Sequence, residues 1–408
     1  MENNNFLYIE PHVYVNVAKN GAILFNTINK KLIDCRKDDV NGYSFLTRVK
    51  ENSSQGSIQL YKREVLDSSI SKLLTKIRNT HMGDIMSSNT RLVSSRPRFR
   101  ITDSVEALMK NEDLTVGFKA KTYLKEIILF SGSKFNCKQF QKAIYPKSID
   151  QGNNSNFGSI QLTKLFSRLI DEINEYQQLK NINIIYTETL GKEHLLPLVN
   201  ALKNKKSKIT IHFSIVDSNR IKSLLIPDLN YSIYIPNNIP VSNTLIKTLD
   251  SEYTCLFNFI VMETQDLYSI HQLRKTTNVD IHPFPVYKEN FQFFEENVFI
   301  DPEDIISQKI DLRHISMNRS INQNFFGKIY INEYGQLSSS LTMESRIILD
   351  ETNRIIDFII IELQENRSWR LLRSHVSPCK DCKFNELCPP ISRLEFEMNR
   401  YNLCKVPI

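Results

Sequence analysis

The residues best suited to chemistry stand together in Cys379-Lys-Asp-Cys382-Lys-Phe-Asn-Glu-Leu-Cys388-Pro-Pro, followed by Cys404. The spacing is C-x2-C-x5-C, with a fourth thiol sixteen residues further on. Four thiolates form a tetrahedral ligand set for zinc or hold an iron–sulfur cluster. The two-residue loop lets Cys379 and Cys382 point at one group, and Pro389-Pro390 stop any helix there. Four of the seven cysteines crowd residues 379–408, which points to ligation rather than to scattered structural thiols. The pattern specifies a metal site and leaves zinc and cluster open.

The other candidates are weaker. The 8 histidines are scattered and form neither H-x3-H nor H-E-x2-H. His212 and His282 fall on strand-like segments, where a hydrogen-bonded core histidine is the expected reading. Glu188 and Glu263 follow such segments, where a barrel enzyme places acids and bases. The favoured reading for both is a helix N-terminal residue stabilised by the macrodipole. Cys137 has no base near it in sequence, and no Ser–His–Asp set is legible, so no catalytic residue is assigned.

The 408 residues allow one to three domains, and 41% hydrophobic with 24% charged residues is an ordinary globular composition. A net charge of +7 suits an acidic peptide or protein partner and is too small to argue for nucleic acid. No apolar run reaches membrane-span length. The N-terminus Met-Glu-Asn-Asn-Asn lacks a signal-peptide pattern. A cytoplasmic location is expected, where reduced thiols favour ligation over disulfides.

Elements that would position the cysteines follow from periodicity. Phe6–Glu10, His12–Val17 and Ala22–Thr27 read as strands, with a hairpin turn at Asn20-Gly21. A helix is expected over Glu64–Ile85, then a basic linker carrying Arg91, Arg96, Arg98 and Arg100. From residue 123 strands and helices alternate. The strands are Glu126–Phe130, Asn183–Thr187, Lys208–Ile215, Tyr231–Ile235, Leu256–Met262 and Ile281–Tyr287. The helices between them are Leu162–Leu179, Glu193–Lys203, Asn219–Leu225, Val241–Leu249 and Thr264–Thr277. Six such units imply a parallel sheet covered by helices, as an open doubly wound sheet or as a partial (β/α)6 barrel. No Gly-rich phosphate loop follows a strand. A hairpin turning at Glu333–Gly335 and a helix over Asn353–Arg373 lead into the cysteines.

Six β–helix units, a glycine hairpin, a helix and C-x2-C-x5-C-P resemble the radical SAM peptide maturases that carry a SPASM domain. The opening Phe6-Leu-Tyr-Ile-Glu-Pro-His-Val-Tyr-Val and Leu24-Phe-Asn-Thr-Ile-Asn, with the cysteine-rich tail, look like the pseudo-radical-SAM SPASM proteins of double-glycine-leader peptide maturation systems. The resemblance implies an α/β fold with a partial (β/α)6 TIM-like barrel. Working members present C-x3-C-x2-C after the first barrel strand. Here Ser131-Gly-Ser-Lys-Phe-Asn-Cys137-Lys-Gln-Phe offers one cysteine, and Cys35 and Cys255 lie elsewhere. The family's Gly-Gly-Glu-Pro after the second strand is reduced to Tyr186-Thr-Glu188-Thr-Leu-Gly. Loss of radical chemistry, with no cleavage of S-adenosylmethionine, is therefore implied. One auxiliary [4Fe–4S] site survives as Cys379, Cys382, Cys388 and Cys404, with zinc as the alternative. The ligands of the other cluster are replaced near Asn322–Phe325, at Ser340 and at Ser392.

The resemblance divides the chain into four parts. Residues 1–90 form a strand and helix module, similar to winged-helix leader-peptide recognition elements. Residues 91–120 are a linker, 121–300 a degenerate radical-SAM-like barrel, and 301–408 a SPASM-like domain with one four-cysteine site. Lys30-Lys-Leu-Ile-Asp continues as strand where those recognition elements start a helix. The implied role is a non-catalytic accessory in maturation of a ribosomally made peptide. Its partners would be a precursor with a double-glycine leader, a modifying enzyme, or both. Iron–sulfur electron transfer or a catalytic maturase is one alternative, and a zinc-stabilised structural protein is the other.

Overall fold

The computed structural model describes residues 4–53, 56–88, 120–130, 140, 143–144, 159–186, 190–202, 207–221, 225–226, 229–340, 345, 347–365 and 367–407. The expected linker with its four arginines, the Cys137 loop and Glu188 lie outside these residues.

The first strand-rich part builds two three-stranded sheets. Strands β1 (Asn4–Ile9), β2 (Val13–Ala18), β3 (Gly21–Asn26), β4 (Leu32–Cys35), β5 (Ser57–Leu60) and β6 (Gly83–Ser88) pair as β5-β1-β6 and β2-β3-β4. The β2–β3 register sets Ala18 opposite Gly21, so the turn residues are Lys19 and Asn20, one place earlier than expected. Helices α1 (Val40–Glu51), α2 (Lys62–Leu66) and α3 (Ser68–Asn79) fill the segments between. Leu46, Leu74 and Ile77 of these helices join Leu7 and Leu24 in one buried cluster. The single helix expected over Glu64–Ile85 is broken in two. Asp67 accepts N–H bonds from Ser69 and Ile70 at 2.9 and 3.0 Å and restarts the helix as its N-cap. Asp39 caps α1 through Gly42 and also accepts the Ser69 hydroxyl, which ties α1 to α3.

The large sheet contains β7 (Glu126–Phe130), β8 (Asn181–Ile185), β9 (Lys208–Ser214), β10 (Asn230–Ile235), β11 (Thr254–Val261) and β12 (Ile281–Pro285). These six run parallel in strict sequence order. A doubly wound sheet reverses its order at a switch point; β7 to β12 have no reversal among themselves. Helices α4 (Ser159–Ile173), α5 (Lys192–Leu202), α6 (Ser218–Ile221), α7 (Asn243–Glu252) and α8 (Thr264–Thr277) connect the strands. The strands are apolar on the face toward the helices and mixed on the other. Ile127, Ile182, Ile211, Ile233 and Phe257 join α4, α5, α7 and α8 in the main core. Their neighbours Glu126, Asn183, His212, Ser232 and Asn258 face the other way, since successive side chains alternate. With the helical cores packed on one face, the opposite face is left to line a pocket.

Helices α9 (Phe291–Asn297), α10 (Pro302–Ser307) and α11 (Leu312–Ser320) then lead to β13 (Lys328–Ile331), β14 (Gln336–Ser338) and β15 (Ile347–Ile348). The hairpin appears where expected, with Gly335 at φ +75 closing it. Strand β13 pairs parallel to β7, extending the sheet beyond its first strand. Helix α12 (Ile355–Glu365) is shorter than the Asn353–Arg373 expected. Short turns and α13 (Arg393–Glu397) carry the chain through the cysteines. No helix among the described residues is long and apolar enough to cross a membrane.

Candidate functional site

Cys379, Cys382, Cys388 and Cys404 line one small, largely enclosed cavity, together with Arg373, Asn385, Ile300 and Leu403. Three of the thiols are buried and Cys404 is half-buried. Local turns bring them there. Cys379 opens a single 3-10 turn that closes with the Cys382 N–H on the Cys379 carbonyl at 3.0 Å. The Phe384-to-Cys388 backbone bond, 2.9 Å, folds the third thiol back. Cys404 arrives by a parallel bridge to Ile300.

The sulfurs sit among donors. Phe384 donates its N–H to Cys382 Sγ at 3.4 Å, and Asn20 Nδ2 reaches the same sulfur at 3.8 Å. Arg373 Nη1 lies 3.5 Å from Cys379 Sγ. Cys379 itself donates to the Tyr401 carbonyl at 3.0 Å, as a thiol does. Burial pushes the Cys379, Cys382 and Cys388 thiols up, and the Arg373 charge opposes this at Cys379 and Cys388. Burial works against the Arg373 cation too, but Glu395 restores it through bonds of 2.9 and 3.1 Å.

The expectation of a ready tetrahedral set needs refinement. Among the described residues, no group of three or more His, Cys, Asp or Glu side chains is gathered closely enough to hold a metal ion. The four thiols instead surround a shared cavity. Their chemistry fits a thiolate-bound group: four sulfurs, N–H donors aimed at two of them and one buried cation. Loading such a group would release the thiol protons, the Cys379–Tyr401 bond among them. Ligands of this kind would supply an electron-transfer centre if they held iron and sulfide, and a structural clamp if they held zinc.

The positions the resemblance assigns to lost ligands have structural work of their own. Asn322 is 1% exposed; its Nδ2 bonds the carbonyls of Leu371 and Ile391 at 3.2 and 3.1 Å. Ser392 caps α13, accepting the Glu395 N–H at 3.3 Å. Ser340 is buried.

A second feature was only partly legible. The face of the large sheet opposite the helices lines an open, mainly apolar pocket of about 350 Å³, bordered by Ser392, Arg393 and Leu394. A chain of bonds crosses its floor. Lys328 pairs with Glu126 at 3.2 Å, Asn183 Nδ2 donates to Glu126 at 2.7 Å, and Asn183 Oδ1 is 3.0 Å from His212 Nε2. Tyr234 OH lies 3.3 Å from His212 Nδ1. Asn183 Oδ1 can only accept, so the proton sits on Nε2 and Tyr234 donates to Nδ1. Burial lowers His212 to about 4. Both ring nitrogens are thus committed, so His212 is hydrogen-bonded as expected but lines the pocket and is not in the core. His282 is different: its ring is half-exposed and meets Asp280 at 3.3 Å, because it lies on edge strand β12. Glu263 starts α8, its N–H bonded to Asp266 at 3.1 Å, as its helix N-terminal reading requires. Cys255 and Cys35 stay apart from the quartet, with pKa values pushed up by burial to about 12 and about 11.

Arg373, Asn20 and Asn16 were missed in the sequence. Nothing local marks them, since Asn20 and Cys382 are separated by 362 positions.

No family model matches the chain, and no curated protein matches it. Among solved structures it is similar to the crystal structure of Streptococcus suis SuiB bound to precursor peptide SuiA. That likeness covers 97% of this chain and 98% of SuiB, at 11% identity and a TM-score of 0.36, a level that assigns neither fold nor function.

Proposed function

We propose that the chain is a non-catalytic accessory or recognition protein in the maturation of a ribosomally made peptide. In this reading residues 121–300 are a degenerate partial (β/α)6 barrel and residues 301–408 a SPASM-like domain with one thiolate site. A single observation carries it: the four cysteines that the resemblance assigns to one auxiliary cluster line one buried cavity. The unbroken sequence order of β7 to β12 supports the barrel. The partner is proposed to be a precursor peptide with a double-glycine leader, its modifying enzyme, or both. SuiB is bound to a precursor peptide in the structure named above; for this chain such a partner rests on the sequence resemblance.

The test is metal and sulfide per chain after anaerobic purification, with deoxyadenosine measured after adding S-adenosylmethionine and reductant. About four irons and four sulfides with no deoxyadenosine is the expected result. About one zinc without iron would replace the cluster by a structural clamp. Deoxyadenosine formation, or about eight irons, would sink the non-catalytic reading.

A further inference from the structure

We propose that the β2–β3 hairpin is part of the cysteine site, with Asn20 a positioning residue for Cys382. Loading of the quartet and docking of the N-terminal sheet are then one linked equilibrium. This rests on the reading that the quartet takes a metal.

The hairpin grips the tail at the cavity wall. Asn20 Nδ2 faces Cys382 Sγ at 3.8 Å and donates to the Pro407 carbonyl at 3.1 Å. Its Oδ1 accepts the Lys383 N–H at 2.8 Å. One amide therefore holds a candidate ligand, the next backbone group and the chain beyond Cys404. Asn16, 2% exposed, donates to the Lys383 carbonyl at 2.9 Å and to Asn385 Oδ1 at 3.0 Å, while Lys50 holds its own oxygen at 2.7 Å. Asn385 lines the cavity. Asp34 of β4 binds Lys383 Nζ at 2.6 Å. Gly21 belongs to the same fit: a Cβ there would lie 2.7 Å from the Cys35 carbonyl and 3.4 Å from the Lys383 side chain. Beneath these polar contacts, Tyr14, Ile23 and Phe25 share one buried cluster with Cys382, Phe384 and Cys388.

A sulfur that becomes a metal-bound thiolate is a far better acceptor than a thiol, so N–H donors aimed at it gain strength on loading. Asn20 is such a donor and is anchored in the N-terminal sheet. Whatever loading gains from Asn20, docking of that sheet gains equally, because coupling between two equilibria is reciprocal.

The full-length chain, purified anaerobically, is assayed for metal and then compared loaded and chelator-stripped. Hydrogen exchange at residues 13–35 is expected to rise on stripping, while strands β7–β11 stay protected. Asn20→Ala is expected to release metal to a chelator roughly 10-fold faster, the lower end for loss of an outer-shell partner. Lys19→Ala, which removes the neighbouring ion pair to Asp381 at 3.0 Å without touching sulfur, is expected to leave release unchanged. Asn20→Asp separates positioning from mere shape. It keeps the acceptor for Lys383 but turns a carboxylate toward the sulfur, so release at least as fast as in Asn20→Ala is expected. Wild-type release from Asn20→Asp, or exchange at 13–35 indifferent to stripping in a chain shown to hold metal, would overturn the proposal. A wild-type chain that holds no metal would instead sink the quartet reading beneath it.

Discussion

At the residue scale, two buried ionisable groups pull stability in opposite directions with pH. Burial lowers His212 from 6.5 to about 4, so between these values the unfolded chain takes up a proton that the folded chain refuses. Stability from this group is complete above 6.5 and drains away as pH falls through 4. Burial raises Glu397 from 4.5 to about 7 against the opposing charge of Arg393. Here the folded chain holds the proton, so stability is complete below 4.5 and is lost as pH rises through 7. Each effect amounts to about 3 kcal/mol across its window, and in the wild type they largely mask one another. In urea titrations between pH 4.5 and 6.5, Glu397→Gln is expected to gain stability with rising pH and His212→Gln to lose it. Parallel slopes for the two variants would refute the assignment. His212 was visible in the sequence only as a histidine on a strand. Its partners Asn183 and Tyr234 come from neighbouring strands, and only the parallel register brings them to one face.

At the element scale, legibility followed local signals. Strand β7 falls on the residues the pattern marks because it is a short apolar run, and helix α8 does so because Glu263 and Asn278 bound it as caps. The long helix expected over Glu64–Ile85 failed where an apolar stripe continued across a cap. Asp67-Ser-Ser-Ile is an N-cap sequence, and the side chain wins because it satisfies two amide donors that a continuous helix would otherwise occupy. Asp67→Ala should therefore cost about 1 kcal/mol in chemical denaturation and leave α1, capped by Asp39, intact. An unchanged midpoint would show that the cap is idle. The expected helix up to Arg373 ends at Glu365 instead. Beyond it, Trp369 N–H turns back to the Glu362 carboxylate at 3.0 Å, a tertiary bond that periodicity does not encode.

At the scale of the whole molecule, the cysteine spacing was readable but its surroundings were not. Sequence placed the four thiols in a C-terminal module and the first strands in a separate one. The structure packs these regions against each other across Tyr14, Ile23 and Phe25. Deleting residues 1–90 would thus strip the packing behind Cys382, Phe384 and Cys388, and loss of peptide capture in that truncation would say little about a leader site. A point variant is cleaner. Phe25 is 0% exposed, so Phe25→Ala should cost about 3–5 kcal/mol and lower metal content per chain. Full metal content in a destabilised Phe25→Ala protein would show that the two regions are energetically separate.

The same packing imposes an order on synthesis. Strands β2 and β3 are made first, and the surface that covers Tyr14, Ile23 and Phe25 arrives later in two parts, with Ile305, Ile310 and Ile315 and then with Cys382, Phe384 and Cys388. Until both have been made, the nascent chain carries an incompletely covered apolar sheet face, the kind of surface that draws chaperones and promotes aggregation. A stop codon before Cys379 would leave that face partly bare for good, so truncated products should be sticky even when the large sheet has folded.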